Sequence, residues 1–195
     1  MTEQLAIPPF ILASASPRRR QLLAAKGLQF RIIHAEVEEW EPEEADPVEQ
    51  VEENARRKAR AVALQFPDAI VLAADTTVAL GRQLLAKPEN LEHARQMLAL
   101  LSGRTHTVVS GVCLRQGQRE RVFHDRCDVT FKDLSAADIE AYVRDVHVLD
   151  KAGAYAIQDG GERIVARYEG VFETIMGLPV EHVCRELQAF VNAAG

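Results

Sequence analysis

The run Ala69-Ile-Val-Leu-Ala-Ala74 is six apolar residues without a break, and it stops at Asp75. A run that is continuous rather than alternating is the pattern of a strand buried on both faces, so other elements must cover it above and below. Asp75, placed directly after it, is expected at the strand's carboxyl end, where open α/β sheets bind their ligands. Phe10 to Ala13 and Phe30 to Ile33 read as two further short strands, and Lys151 to Ile157 and Ile164 to Tyr168 as late ones. Thr105 to Leu114 and Arg121 to Phe131 flank Gln116-Gly117-Gln118 and predict a long hairpin.

Helices are announced by their caps. Ser16-Pro17 starts one that runs to Lys26 and stops at Gly27, and Asp46-Pro47-Val48-Glu49 starts another that ends before Pro67. Within the second, Val48, Val51, Ala55, Ala59 and Val62 recur at three- and four-residue steps. Asn90 caps a helix ended by Ser102-Gly103, Ser135-x-x-Asp138 opens one through Val146, and Leu178-Pro179 introduces a last one. Strands and helices therefore alternate around an antiparallel insert. The expectation is an α/β protein with a mixed twisted sheet and flanking helices, residues 1–195 forming one domain without a separable linker.

Composition narrows the function. The chain carries 23 basic and 29 acidic residues, a formal charge of -6, which argues against general adhesion to nucleic acid or anionic lipid. The excess is local, because Glu36 to Glu53 holds ten acids and no base while the remainder is mildly basic. Three widely spaced cysteines, Cys113, Cys127 and Cys184, have no metal-ligand spacing and read as reduced packing residues. The first residues carry Glu3 and no base, and Pro8-Pro9 interrupts the apolar stretch that follows, against a signal peptide. The expected setting is the cytoplasm, with no membrane and no nucleic-acid partner.

Ser14-Ala15-Ser16-Pro17-Arg18-Arg19-Arg20 joins a strand end to a helix start. Three arginines in a first helical turn oppose the positive field there, and an anion would resolve the conflict through backbone N–H groups, hydroxyls and guanidinium forks. A solvated basic turn paired with the acidic segment is the competing reading. Asp75 is suited to catalysis or metal binding, or else to a turn or cap. Lys58 and Lys87 are candidate phosphate cations, or else solvated surface lysines. Within the acidic segment Glu36 and Glu38, just after the second strand, are best placed to hold Mg²⁺ with substrate phosphate oxygens. The six histidines show no zinc-type spacing, and no Walker or dinucleotide glycine motif occurs.

Seven motifs occur in order: Leu12-Ala-Ser-Ala-Ser-Pro-Arg-Arg19, Ala74-Asp-Thr76, Lys87-Pro88, Ser102-Gly-Arg-Thr-His106, Asp150-Lys-Ala-Gly-Ala-Tyr155, Ile157-Gln158 and Gly177-Leu-Pro179. Together they resemble those of the Maf nucleotide pyrophosphatases over nearly the whole chain. The resemblance implies a fold similar to inosine triphosphate pyrophosphatases, with two lobes around a cleft, a divalent cation (Mg²⁺ or Mn²⁺), a homodimer, and hydrolysis of a nucleoside triphosphate to monophosphate and diphosphate. It implies phosphate binding by Ser14, Arg18 and Arg19. Asp75 takes the place of the catalytic carboxylate, Glu38 that of its acidic partner at the metal, and Lys58 and Lys87 those of the phosphate-neutralising lysines. Pro17, Thr76 and Gln158 resemble the branch acting on dTTP and UTP. Departures are Ala86 before Lys87, Ala156, Asp159 after Gln158, and the stretch Val171 to Ile175, all bearing on pocket shape. Other readings are a non-catalytic nucleotide-sensing regulator of cell division, a pyrophosphatase selective for modified nucleotides, and a general phosphatase releasing orthophosphate.

Overall fold

The computed structural model describes residues 7–42 and 45–193; the N-terminal leader reading and Glu43 and Glu44 lie outside them. Strand β1 (Phe10–Leu12) is flanked by β2 (Phe30–Ile32) and β3 (Val71–Leu80), both parallel to it. From β3 the sheet turns antiparallel through β5 (Thr105–Gln116), β6 (Arg119–Phe131) and β7 (Val165–Gly170), with β4 (Gln83–Leu85) hairpinned onto the far end of β3. The result is one seven-stranded mixed sheet.

Two helices on the parallel end carry the site. α1 (Pro17–Ala25) begins at Ser16, whose hydroxyl accepts from the Arg19 amide at 3.5 Å, with Pro17 in the first turn. α2 (Pro47–Ala63) begins at Asp46, which accepts from the Val48 amide at 2.8 Å. Along β3 the side chains alternate between them. Leu72 and Ala74 pack with Leu23 of α1 and with Val183 and Leu187 of α7 (Val180–Asn192), whereas Val71 and Ala73 pack with Ala55, Ala59 and Val62 of α2. The two-sided burial expected of this strand is what the structure shows. A third core surrounds Val78, Val108 and Val129 at the other end of the long strands, covered by α3 (Leu91–Leu101) and by α4 (Ala136–Asp145) with its Ser135/Asp138 capping box.

The structure corrects two expectations. Asp75 does not end its strand, because β3 continues to Leu80 with β5 paired along it, Asp75 opposite Gly111. It is the neighbouring β1 that ends, level with Leu72, so Asp75 lies about 10 Å beyond the parallel part of the sheet, on a strand held by its antiparallel side alone. Lys151 to Ile157 is not a strand either. Gly153 and Ala154 have φ of 67° and 60°, and residues 152–154 form a 3-10 turn. Gly153 lies so close to Val78 that a Cβ there would come within 3.1 Å of its methyls, so the segment packs on the β3 strand by its backbone rather than pairing with it.

One glycine sets the distance between α2 and the sheet. A Cβ on Gly111 would sit 2.7 Å from the Val51 carbonyl carbon and 2.8 Å from its oxygen. Both are backbone atoms of the helix, so relief requires moving α2 bodily. Gly111→Ala should therefore destabilise the fold by about 1–3 kcal/mol, as overpacking does, and lower Tm by about 2–4 °C per kcal/mol. Thermal unfolding of the variant beside the parent measures it; an unchanged Tm would show that the helix is not seated this tightly.

Candidate active site

A cleft of about 600 Å³ opens where β1 has ended and β3 runs on. Five cations (Arg18, Arg19, Lys58, Lys87, Lys151) and four carboxylates (Glu39, Glu41, Asp75, Asp150) line it. Side-chain parity divides the work. Asp75 faces α2 in step with Val71 and Ala73, and Thr76 faces α1 in step with Leu72 and Ala74.

On the α2 side, Lys58 Nζ lies 2.7 Å from Asp75 Oδ1 and 2.5 Å from Glu39 Oε1, with Lys58 and Asp75 side chains each 12% exposed. Asn54, one turn earlier on α2 and buried, donates from Nδ2 to Asp75 Oδ2 at 3.2 Å. Asn54 also brackets the Trp40 backbone, accepting from its N–H at 2.7 Å and donating to its carbonyl at 3.1 Å. The acidic segment is thereby fastened to α2 at Trp40, which sets Glu39 against Lys58. Burial pushes the Glu39 carboxyl up, but the Lys58 hydrogen bond and charge, with Lys87 and Arg19 behind it, bring it below its ordinary value.

On the α1 side, Arg19 is committed to the scaffold. Its guanidinium donates to the carbonyls of Gly177 and Ala74, both at 2.8 Å, to the Thr76 hydroxyl at 3.1 Å and to Ser14 Oγ at 3.4 Å. Burial lowers its pKa, with Asp75 opposing the shift. Ser14 also accepts from the Ser16 amide at 3.1 Å. The Thr76 hydroxyl lies 2.8 Å from Ser110 Oγ, and Ser110 donates to the Thr174 carbonyl at 2.8 Å. With Ser110's single proton used, Thr76 donates to Ser110, with the Gly177 carbonyl a longer second acceptor at 3.4 Å, while Arg19 occupies one of its lone pairs.

The structure places Ser14, Arg18, Arg19, Lys58, Asp75, Thr76, Lys87 and Gln158 around one cleft. Arg20, the third arginine of the turn, is exposed and outside it, as divergence of successive helical residues requires. Glu38 is not brought in. Its side chain is exposed, its carbonyl accepts from Arg57 Nη1 at 3.5 Å, and the adjacent Glu39 takes the place against Lys58. Residues 33–42 form no strand or helix, so alternation could not tell the two glutamates apart. Asn54 and Gln50 were missed as well, although a signal existed: Gln50, Asn54 and Lys58 are polar residues at four-residue steps, each followed by an apolar residue of the buried stripe (Val51, Ala55, Ala59). Lys151, buried with its Nζ on the His147 carbonyl and 2.7 Å from Asp150, is another.

Arg18 makes no ion pair or hydrogen bond among the described residues, and Lys87, 57% exposed, has only Glu39 at 4.0 Å. These two are the lining cations left to meet a ligand. Hard oxygen donors dominate on the acidic side, and no group of three or more His, Cys, Asp or Glu could hold a metal among the described residues. One or two carboxylates with no nitrogen or sulfur ligand is the donor set of Mg²⁺ or Mn²⁺ completed by phosphate and water.

This is a mixed-sheet α/β protein whose charged cleft sits beside the end of its parallel strands. The chain belongs to the family described as Maf-like protein, whose model matches residues 9–190. It is 48% identical over 182 residues to the dTTP/UTP pyrophosphatase of Moorella thermoacetica, covering 92% of this chain and 94% of that protein. It is 43% identical over 180 residues to the Bacillus anthracis dTTP/UTP pyrophosphatase, with coverage of 92% and 94%. A distant likeness, TM-score 0.47 at 16% identity, relates it to the Staphylococcus aureus Ham1 protein over 96% of this chain and 100% of that one. No helix among the described residues is long and apolar enough to cross a membrane.

His106 and Tyr155 prop the cleft wall, with Nε2 and Oη 2.9 Å apart and both residues buried. Burial lowers the His106 pKa from 6.5 to about 4. The unfolded chain therefore takes up a proton below pH 6.5 that the folded chain refuses until about pH 4. Stability should fall as pH drops through that window, by at most about 3 kcal/mol from this residue. His106→Gln should flatten that part of the stability–pH curve, read from urea unfolding; an unchanged slope would mean that His106 is not held neutral.

Proposed function

We propose that this protein hydrolyses nucleoside triphosphates, preferentially dTTP and UTP, to nucleoside monophosphate and diphosphate, as a cytoplasmic homodimer of one domain (residues 1–195) that uses Mg²⁺ or Mn²⁺. The observation that carries the reading is Asp75 held between Lys58 and Asn54 at the floor of a cleft whose two unspent cations, Arg18 and Lys87, stand ready for phosphate. The names borne by the relatives support the same substrates.

Arg18, Lys87 and Ser14 receive the phosphate chain by direct donors, with Arg19 holding α1 and the Gly177 loop in register beneath it. Asp75 takes a proton from water as the water oxygen bonds to the α-phosphorus, while the bond from that phosphorus to the bridging oxygen breaks and diphosphate leaves. A carboxylate has about four lone-pair sites, so Asp75 keeps sites for this after serving Lys58 and Asn54. Asp75 with Glu39 or Glu38 would hold the divalent cation, which supplies charge neutralisation to the departing diphosphate; of the two glutamates, the contact of Glu39 with Lys58 favours it. Base choice falls to Thr76 and Gln158. With its proton on Ser110 and one lone pair on Arg19, Thr76 can only accept, which suits the N3–H of thymine or uracil. The Gln158 amide, now donating to Asp159 at 3.2 Å, can turn to a ring carbonyl.

The protein with Mg²⁺ or Mn²⁺ and a panel of canonical and modified triphosphates should release diphosphate. No turnover at all would leave the sensing regulator, and orthophosphate alone would make it a phosphatase. Asp75→Asn should lower kcat by about 10²–10⁴-fold while nucleotide binding persists, and parent-like kcat would remove Asp75 from the mechanism. Glu39→Gln should cost more activity than Glu38→Gln, and the reverse would return the metal role to Glu38. Across dTTP, UTP, CTP and GTP, kcat/KM should favour the first two, since a site that hydrogen-bonds a base edge rejects the wrong pattern at about 1–3 kcal/mol per unmet group. Equal values for all four would end the base-reading role of Thr76 and Gln158.

A further inference from the structure

β7 is the last strand of the sheet, with no strand beyond it among the described residues, and Ala166 to Val171 are all exposed. The state of its free edge follows from the pairing on its other side. Phe131 N donates to the Arg104 carbonyl at 3.0 Å on the β5 side, and Lys132 N to the Ile164 carbonyl at 2.8 Å on the β7 side. Backbone groups alternate in direction along a strand, so Thr130 and Asp128 also bond toward β7, where Arg167 and Glu169 stand opposite them. Arg167 and Glu169 therefore spend their N–H and C=O groups on β6. Tyr168, between them, turns both of its own outward. An edge of this kind is a template for another strand.

The sequence of that edge is complementary to itself. Val165-Ala-Arg-Tyr-Glu-Gly-Val171, laid antiparallel on a second copy about Tyr168, sets Arg167 against the partner's Glu169, Ala166 against the partner's Gly170 and Val165 against the partner's Val171. We infer that β7 is the surface of the homodimer: two copies join edge to edge about a two-fold axis at Tyr168, and their sheets become continuous. The inference rests on the homodimer of the proposed function, not on its hydrolysis. Tyr168 and the partner's Tyr168 exchange two backbone hydrogen bonds, and the Arg167–Glu169 pairs fall at the non-hydrogen-bonded positions, where facing Cα atoms are closest, about 4.5 Å. The axis makes each such contact twice. Within one copy Arg167 Nε lies 3.7 Å from Glu169 Oε1, and both side chains are exposed, so exchanging that pair for the two across the axis sacrifices little. On the other face Tyr168 lies against Phe172, ring centroids 5.6 Å apart, which gives the join an apolar side. Charge selects the register, because a slip of two residues sets Arg167 on the partner's Arg167 or Glu169 on the partner's Glu169. A slip of one sets the charged face of one copy beside the Tyr168 face of the other. The join also bears on the cleft, since β7 runs into the short helix Phe172–Ile175 and Gly177, where the Thr174 carbonyl takes Ser110 and the Gly177 carbonyl takes Arg19.

Sedimentation of the full chain over a concentration series reads the assembly, and thermal unfolding reads whether each variant is folded. The parent should sediment as a dimer. Arg167→Glu and Glu169→Arg each put like charges into both pairs and should raise the dimer dissociation constant by about tenfold or more. The double variant carrying both changes restores opposite charges and should recover the parent's dimer. Tyr168→Cys reads the register directly, because its two thiols meet across the axis at a Cα separation of about 5.5 Å, within the range a disulfide spans. Under mild oxidant it should cross-link to twice the mass, and Arg167→Cys, which faces position 169, should not; the native cysteines are buried. A dimer that Tyr168→Cys does not cross-link, or that neither reversal weakens, overturns the inference and leaves the homodimer joined elsewhere. Weakening by both reversals without recovery in the double variant overturns it as well, since complementarity would not be what holds the strands. A monomeric parent overturns the inference and the homodimer together, leaving the edge to solvent or to a foreign strand. Diphosphate release from dTTP is measured beside these, and its absence from a parent that dimerises through β7 overturns the hydrolase reading while supporting this one.

Discussion

Lys58 between Asp75 and Glu39 is the interaction around which the cleft is built. One ammonium meets two carboxylates from elements far apart in sequence, at 2.7 and 2.5 Å, with little water to screen them. Removing Lys58 would leave both carboxylates without that ammonium, which is costlier than losing a surface ion pair. The group also carries a chemical asymmetry. One cation against two anions leaves the corner negative, suited to a divalent cation arriving with its substrate. Arg18 and Lys87, whose donors are largely unspent, add positive charge to the cleft lining, suited to phosphate oxygens.

That arrangement depends on how near α2 comes to the sheet, and nearness is a property of Gly111. The glycine stands opposite Asp75 across the β3–β5 ladder, at the place where the Val51 backbone presses on the strand. Without a side chain there, the helix descends until Asn54 and Lys58 reach across to the carboxylate. Fold stability and site geometry thus share one contact. The same logic runs through Arg19, which satisfies carbonyls of β3 and of the Gly177 loop at once; an arginine does this because its planar fork carries five donors at fixed angles.

Much of this was legible in the sequence where local chemistry decides. Ser16, Asp46, Asn90 and Ser135 cap helices as their residue types require, and the continuous run through Ala74 is buried on both faces. The extension of β3 past Asp75 was not legible, because Asp75-Thr76-Thr77 has no apolar pattern and its strand form is imposed by pairing with β5. The 3-10 turn at 152–154 depends on positive φ at Gly153 and Ala154, which composition does not announce. Glu38 and Glu39 differ only in which one the Trp40–Asn54 bracket turns inward, a tertiary contact between residues fourteen apart.

The placement of the arginines shows why a motif identifies a site better than it assigns roles within it. Arg18 and Arg19 are adjacent and chemically identical, and both line the cleft. Helical geometry turns them about 100° apart, so only one can face the sheet. Arg19 does, and four acceptors claim its guanidinium. A cation so engaged has little left to offer a ligand and would have to break bonds to bind one. Arg18 has no such claim on it among the described residues, so its donors are unspent until an anion arrives. The division follows from counting donors and acceptors: the residue whose hydrogen bonds are already made holds the site's shape, and the residue whose bonds are unmade is the one a substrate completes.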